Sequence, residues 1–451
     1  MADCNADARL TLRDLTHEFE KGCKPGSQFT IGAEHEKFVF RRTSLDAVAY
    51  EGPDGIEALL AGLVSFGWVP VEEGGKVIAL VRDGAAVSLE PAGQFELSGA
   101  TLPDIHASDA ETSRHLYEVK KIGDELGIGF SGLGFTPTWR REDVHVMPKG
   151  RYAIMRRYMP LKGKLGLDMM LRTCTIQSNL DFASEADMVL KFRTSLALQP
   201  VATAMMANSP FVEGKPTGLL SSRANVWTDT DPDRTGMLDF VFEEGFGFER
   251  YALYALDVPM YFVKRGGRYI DVAGRAFRDF IEGRLDEVPG DCAGIKDWSD
   301  HCTTIFPEVR LKQFLEMRGA DSGPLSRISG LQALWAGIFY DDAALNAAWD
   351  LCKDWSVEDH TALRAAAARD GLKATIRGRS LRDVARDMVA ISAQGLKTRA
   401  RLNGAGDDER IYLSELAEIA ESGITPAERL LELYYGPWQG DASKAFEAAA
   451  Y

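Results

Sequence analysis

Cysteine is scarce in this chain. Its six residues, Cys4, Cys23, Cys174, Cys292, Cys302 and Cys352, are spread over 451 positions without a Cys-x-x-Cys pair. That usage argues against a disulfide framework and for reduced thiols in a cytosol. Cys292, His301 and Cys302 match no zinc-ligand spacing. Positive charge is also in short supply: 52 Lys and Arg against 67 Asp and Glu leave a net charge of −15. No Lys/Arg run or basic helix stands out, so neither nucleic acid nor an anionic membrane is expected as a partner. No apolar run reaches membrane-spanning length. The start, MADCNADARLTLRDLTHEFEKG, lacks the basic and apolar blocks of a signal peptide and the Arg/Ser bias of a transit peptide, so a cytoplasmic protein is expected. There is no GxxxxGK[ST] and no intact GxGxxG, so a nucleotide is not held by a glycine-rich phosphate loop. Residue order offers no Ser-His-Asp or Cys-His nucleophile, and Cys174, inside a strand-like run, reads as a small buried residue.

What the chain does have is charge and amide on strands. Four short segments place such side chains two residues apart: IGAEHEKF with Glu34 and Glu36, EPAGQFELSG with Gln94 and Glu96, TIQSNLDF with Gln177, Asn179 and Asp181, and QFLEMRGAD with Glu316 and Arg318. Side chains at i and i+2 of a strand share a face. Taken singly, Glu34 with Glu36, or Glu90 with Gln94 and Glu96, fits a solvated strand edge. Leu89, Phe95 and Leu97, and then Leu315 and Met317, occupy the opposite parity, which separates the acidic face from a core face. Phe38 and Phe40 break the pattern by sharing parity with Glu34 and Glu36. If these strands lie in one antiparallel sheet, their carboxylates repel one another unless cations bind them, the surface that multi-Mg2+ phosphoryl chemistry needs.

The N-terminal two-thirds alternates helices and strands. WVPVEE, KVIALVRD and AVSLEP read as strands around glycine-containing turns, and helices are predicted over 104–126 and 185–208. Gly266-Gly267 marks a hairpin inside MYFVKRGGRYIDV. From about residue 331 the pattern is nearly all helix, with N-terminal caps at Ser356 and at Thr425-Pro426. The fold class is therefore α+β, with an α+β catalytic domain over 1–330 and a helical lobe over 331–451 packed on it.

Other chemical signals are weaker. WTDTDPDR begins like a calcium loop, but Arg234 stands at the glycine position and Phe240 at the distal glutamate position, so a polar turn flanked by Arg223 and Arg234 fits better. MPKGRYAIMRRYMP clusters Lys149, Arg151, Arg156 and Arg157 at a helix start, where nucleotide phosphates or plain solvent both suit them. Arg318 beside Glu316 suits a phosphate or carboxylate ligand as well as a structural ion pair.

Long blocks then point to a family. IGAEHEKF, VSLEPAGQFELSGATL, MPKGRYAIMRRYMP with LGLDMMLRTCTIQSNLDF, NSPFVEGKPTG, SSRANVWTDTDPDRTGML, ALDVPMYFV, TTIFPEVRLKQFLEMRGAD and GITPAERLLELYYGPW together closely resemble glutamate-cysteine ligase of the plant and proteobacterial type, from about Gly32 to the C-terminus. The resemblance implies a glutamine-synthetase-like fold, a curved antiparallel sheet forming an active-site funnel, surrounded by helices. It implies ATP-dependent joining of the glutamate γ-carboxylate to the cysteine amine through γ-glutamyl phosphate, with Mg2+ or Mn2+. By motif matching it implies Glu34, Glu36, Glu90, Glu96 and Glu316 as metal carboxylates and Gln177 as a neutral ligand. Arg223 is implied to face the glutamyl substrate and Arg318 the phosphate charge. Trp227 and Tyr261 would line the cysteine pocket, and Lys149 and Arg151 would meet nucleotide phosphates. The partners expected are glutamate, cysteine and ATP, and the protein is expected to be a monomer or a weak homodimer.

Plant members commonly carry a regulatory disulfide near the hairpin, but Val272 and Glu287 fall at its two positions here. That switch is absent, activity is expected to be insensitive to mild oxidation, and a bacterial cytoplasmic enzyme is favoured. Two alternatives stay open: a related ligase with a different acceptor amine, and a non-catalytic metal-binding homologue.

Overall fold

The computed structural model describes residues 9–451. Alternating apolar and polar positions produce a nine-stranded sheet: β1 (Ile31–Arg41), β2 (Val69–Glu73), β3 (Lys76–Arg82), β4 (Ala85–Leu89), β5 (Phe95–Ser98), β6 (Ile128–Ser131), β7 (Thr175–Leu180), β8 (Val309–Leu311) and β9 (Leu315–Asp321). Their order is β8-β9-β7-β1-β5-β4-β3-β2, and β6 pairs with the far half of β1. Every pairing is antiparallel.

The parity argument holds strand by strand. Leu89, Phe95 and Leu97 are buried in one apolar cluster with the helix Ile56–Leu63, while Ile176, Leu315 and Met317 join a larger one. The larger cluster is filled by the helices Glu185–Met206, Leu325–Phe339 and Leu381–Arg399. Phe38 and Phe40 break parity because β1 is long: past Lys37 it leaves β5 and pairs with β6, where both rings enter the smaller cluster. One strand thus serves the acidic surface at its start and a core at its end.

Local signals set the helix ends. Asp104 caps the helix Ile105–Leu126, Ser356 and Thr425 form capping boxes, and Pro426 opens the helix Pro426–Tyr435. Gly266 and Gly267 turn the hairpin of Phe262–Arg265 and Arg268–Asp271 with φ of 54° and 77°, the positive values that a tight primed turn requires. The helix Leu325–Phe339 runs through residue 331, and Gln332 Nε2 donates to the backbone oxygen of Gln177 on β7 at 2.9 Å.

Among the described residues no helix is long and apolar enough to cross a membrane. Cys23, Cys174, Cys302 and Cys352 are free, whereas Cys292 is disulfide-bonded. The thiols are therefore not all reduced, and Cys292 and Cys302, neighbours in sequence, are not joined to each other.

Candidate active site

Strand register brings the polar side chains into rows across one face of the sheet. Glu36 pairs with Glu96, which pairs with Ser88. Glu34 lies between Ser98 and Gln177. Asn179 lies between Gly32 and Glu316, and Glu316 faces Arg310 on β8. This face floors a cavity of about 320 Å3, which Glu34, Glu36, Glu90, Glu96, Gln177, Arg151, Arg223, Trp227 and Arg318 all line.

The carboxylates differ in how they are held. Glu34 accepts from Asn179 Nδ2 at 2.8 Å, Glu36 from the Thr175 amide at 3.0 Å, and Glu96 from the Ser88 and Ser98 hydroxyls at 2.9 and 3.2 Å. Burial, followed by the charges of Glu316 and Glu96, pushes the Glu34 carboxyl up to about 7. Burial and then Glu96 and Glu90 raise Glu36 well above the usual carboxylate range, and burial with Glu90 raises Glu96. Here is a set of acids that oppose one another's ionisation.

Glu316 is the exception. Burial works against its charge, yet Arg310, Lys312 and Arg318 together hold its carboxyl well below the usual range. Arg310 grips both oxygens, Arg318 Nη1 donates at 2.9 Å and Lys312 Nζ at 3.3 Å. As the structure stands, its oxygens are taken by cations of the chain itself. Among the described residues no three His, Cys, Asp or Glu side chains are gathered closely enough to hold a metal ion.

The arginines face the acids. Arg223, on the short helix Ser222–Val226, donates Nη2 to the Arg318 backbone oxygen at 2.9 Å, and its Nε and Nη1 are buried without a partner. Arg318 Nη1 also donates to Gln177 Oε1. Trp227 lines the cavity with its indole Nε1 buried and unpaired. Arg151 Nη2 stands 3.8 Å from Glu90, and its Nε is likewise unpaired.

Three residues from the resemblance are not brought to the cavity wall: Glu316, buried under Arg310, Lys312 and Arg318, and also Tyr261 and Lys149. Tyr261 is fully buried, its hydroxyl donates to Asp231 at 3.3 Å, and the Arg234 guanidinium lies 3.8 Å over its ring. Lys149 Nζ donates to the Leu89 backbone oxygen at 2.7 Å, and burial followed by Arg151 lowers its pKa to about 8. Both side chains are spent on holding the chain. Arg234 is no anion clamp either, because Asp231, Thr304 and Pro259 use its donors.

Sequence reading missed Arg310 and Lys312. Their signal was present in VRLKQFLEMR: a short hairpin there places Arg310 directly opposite Glu316. Asn179 shares the polar face of its strand with Gln177, and the fold gives it a role by setting its Nδ2 against Glu34.

Residues 30–448 match the model of Glutamate-cysteine ligase family 2. The chain belongs to this family. It is 52% identical over 443 residues to the chloroplastic glutamate-cysteine ligase of Nicotiana tabacum, covering 98% of this chain and 83% of that one. It is 51% identical to the Medicago truncatula enzyme of the same name over 98% of this chain and 85% of that one. The crystal structure of the Francisella tularensis glutamate-cysteine ligase in complex with AMP shares the fold, with a TM-score of 0.54 at 10% identity over 93% of this chain and 88% of that one. These relatives correct the cytoplasmic location. The plant glutamate-cysteine ligases are named chloroplastic, against the cytoplasmic location expected from the sequence.

Proposed function

We infer that this cavity joins the γ-carboxylate of glutamate to the amine of cysteine with ATP as co-substrate, making γ-glutamylcysteine in the first step of glutathione biosynthesis. The observation that carries the assignment of roles is the facing of mutually repelling carboxylates by a buried arginine with free donors.

The unpaired Nε and Nη1 of Arg223 leave donors on both edges of the guanidinium for a carboxylate of bound glutamate, and the second hydrogen of Nη2 can complete a two-bond fork with either. The γ-carboxylate attacks the γ-phosphorus of ATP, the bond to ADP breaks, and γ-glutamyl phosphate forms. The cysteine amine then attacks the γ-carbonyl carbon, phosphate leaves, and the amine loses a proton. Arg318 and Arg151 shield negative charge as these anions approach, and Trp227 forms part of the acceptor wall. Tyr261 and Lys149 act from behind that wall, through Asp231 and the Leu89 carbonyl.

The donor set has the chemistry for a divalent metal, although its carboxylates would have to draw together to bind one: Glu34, Glu36 and Glu96 are oxygen donors whose ionisation a cation would favour, with Glu90 as a further carboxylate and Gln177 as a neutral oxygen. Glu316 would join them only by giving up part of its contacts to Arg310, Lys312 and Arg318. Bound there, Mg2+ or Mn2+ would neutralise phosphate charge. Segments 1–330 and 331–451 act as one structural unit, supported by the Gln332 contact to β7.

The test measures ADP and product mass with ATP, Mg2+ and glutamate, comparing cysteine with other amines. Cysteine should stimulate ADP release strongly and give the mass of γ-glutamylcysteine. A product built on another amine sinks the acceptor assignment, and no turnover with any amine sinks the enzyme reading.

A further inference from the structure

A second cavity, of about 460 Å3, lies away from the acidic face, where four segments of the chain converge. Its volume falls in the range of about 300–1,000 Å3 typical of small-molecule sites. Phe29, Phe339 and Tyr340 supply an apolar wall, with the Phe29 and Tyr340 ring centroids 4.8 Å apart. Five charged side chains line it: Lys191, Arg399, Arg401, Asp187 and Asp342.

Most of that charge is already matched. Lys191 donates to Asp187 at 2.9 Å and to the Asp181 backbone oxygen at 3.0 Å. Arg399 donates to both oxygens of Glu409 at 2.6 Å. Arg401 and Asp342 remain: both are exposed, and among the described residues neither makes an ion pair within 4 Å, although the Asp342 charge is felt at Lys191. A ligand that satisfies both must itself carry both signs.

The cavity is wired to the catalytic strands. Tyr340 donates its hydroxyl to the Thr30 backbone oxygen at 2.5 Å and accepts from the Asp181 amide at 2.7 Å. Thr30 leads into β1, which carries Glu34 and Glu36, and Asp181 follows β7, which carries Gln177 and Asn179. A molecule resting on the Phe29 and Tyr340 rings therefore bears on the ends of both strands.

We propose that this cavity is an effector site for a small zwitterion, an α-amino acid or short peptide, whose carboxylate meets Arg401, whose ammonium meets Asp342, and whose occupancy is felt in the catalytic cavity. The site stands apart from the ligase reading, because its binding is measurable without turnover.

The experiment titrates glycylglycine and L-phenylalanine into the full-length protein by calorimetry, with acetate and ethylamine as single-charge controls. Arg401→Ala and Asp342→Asn are compared with the unmodified protein. The zwitterions should bind better than either control, and each substitution should weaken them about fivefold, the loss expected of a solvent-screened ion pair. Neither substitution should change glutamate-dependent ADP release without the probe. Adding the better zwitterion should shift the KM for glutamate in the unmodified protein and not in Arg401→Ala. Absence of zwitterion binding, equal binding by acetate, or binding unchanged in both variants overturns the site. Binding with no shift in KM overturns the coupling.

Discussion

Replacing Glu34 by Gln should make the metal-free protein more stable at neutral and alkaline pH. In the folded protein the Glu34 carboxyl ionises near 7, against 4.5 for the same group unperturbed, because it is buried beside Glu316 and Glu96. As pH rises above 4.5 the unfolded chain ionises first, so the wild type loses stability until the folded carboxyl also ionises near 7. At about 1.4 kcal/mol per pH unit the full gap is about 3.5 kcal/mol. Water in the open cavity screens part of it, which leaves about 1–3 kcal/mol. Glutamine carries no charge and keeps an oxygen for Asn179, so it avoids this cost. The assay is urea unfolding in EDTA at pH 5 and pH 8. The variant should gain at pH 8 and only a small part of that at pH 5. Added Mg2+ should stabilise the wild type more than the variant, and the variant should lose most of its turnover. A Glu34→Gln protein less stable than wild type at pH 8, or a gap equal at both pH values, would refute the argument from burial and like charge.

Glu316→Gln should move stability the other way, because it strands the buried Arg310 guanidinium; a loss of about 3 kcal/mol or more is expected in the same urea assay at pH 8. A variant at least as stable as wild type would show that Arg310 does not depend on that carboxylate. Arg223→Lys keeps the charge but loses the two-pronged donor, so kcat/KM for glutamate should fall about tenfold or more while the ATP dependence changes little. A loss confined to ATP would assign Arg223 to the nucleotide. Peptide mapping without reduction should recover Cys302 as a free thiol, and a Cys292–Cys302 crosslink would contradict the structure.

The sequence by itself determined the parity of the polar strands, the capped helices, the Gly266-Gly267 turn and the family blocks. These are local: side chains two apart on a strand share a face whatever the strand packs against. Register is not local, and it took the tertiary structure to set Glu36 beside Glu96, and Glu34 beside Gln177. The same holds for the fate of each charge. Glu34 and Glu316 look alike in sequence, yet one is raised by its neighbours and the other is held ionised by Arg310, Lys312 and Arg318. Tyr261 and Lys149 lie in family blocks beside residues that line the cavity, but packing turned Tyr261 to Arg234 and Lys149 to the Leu89 carbonyl. A side chain's electrostatic environment is the sum over neighbours distant in the chain, and only the folded structure supplies those neighbours.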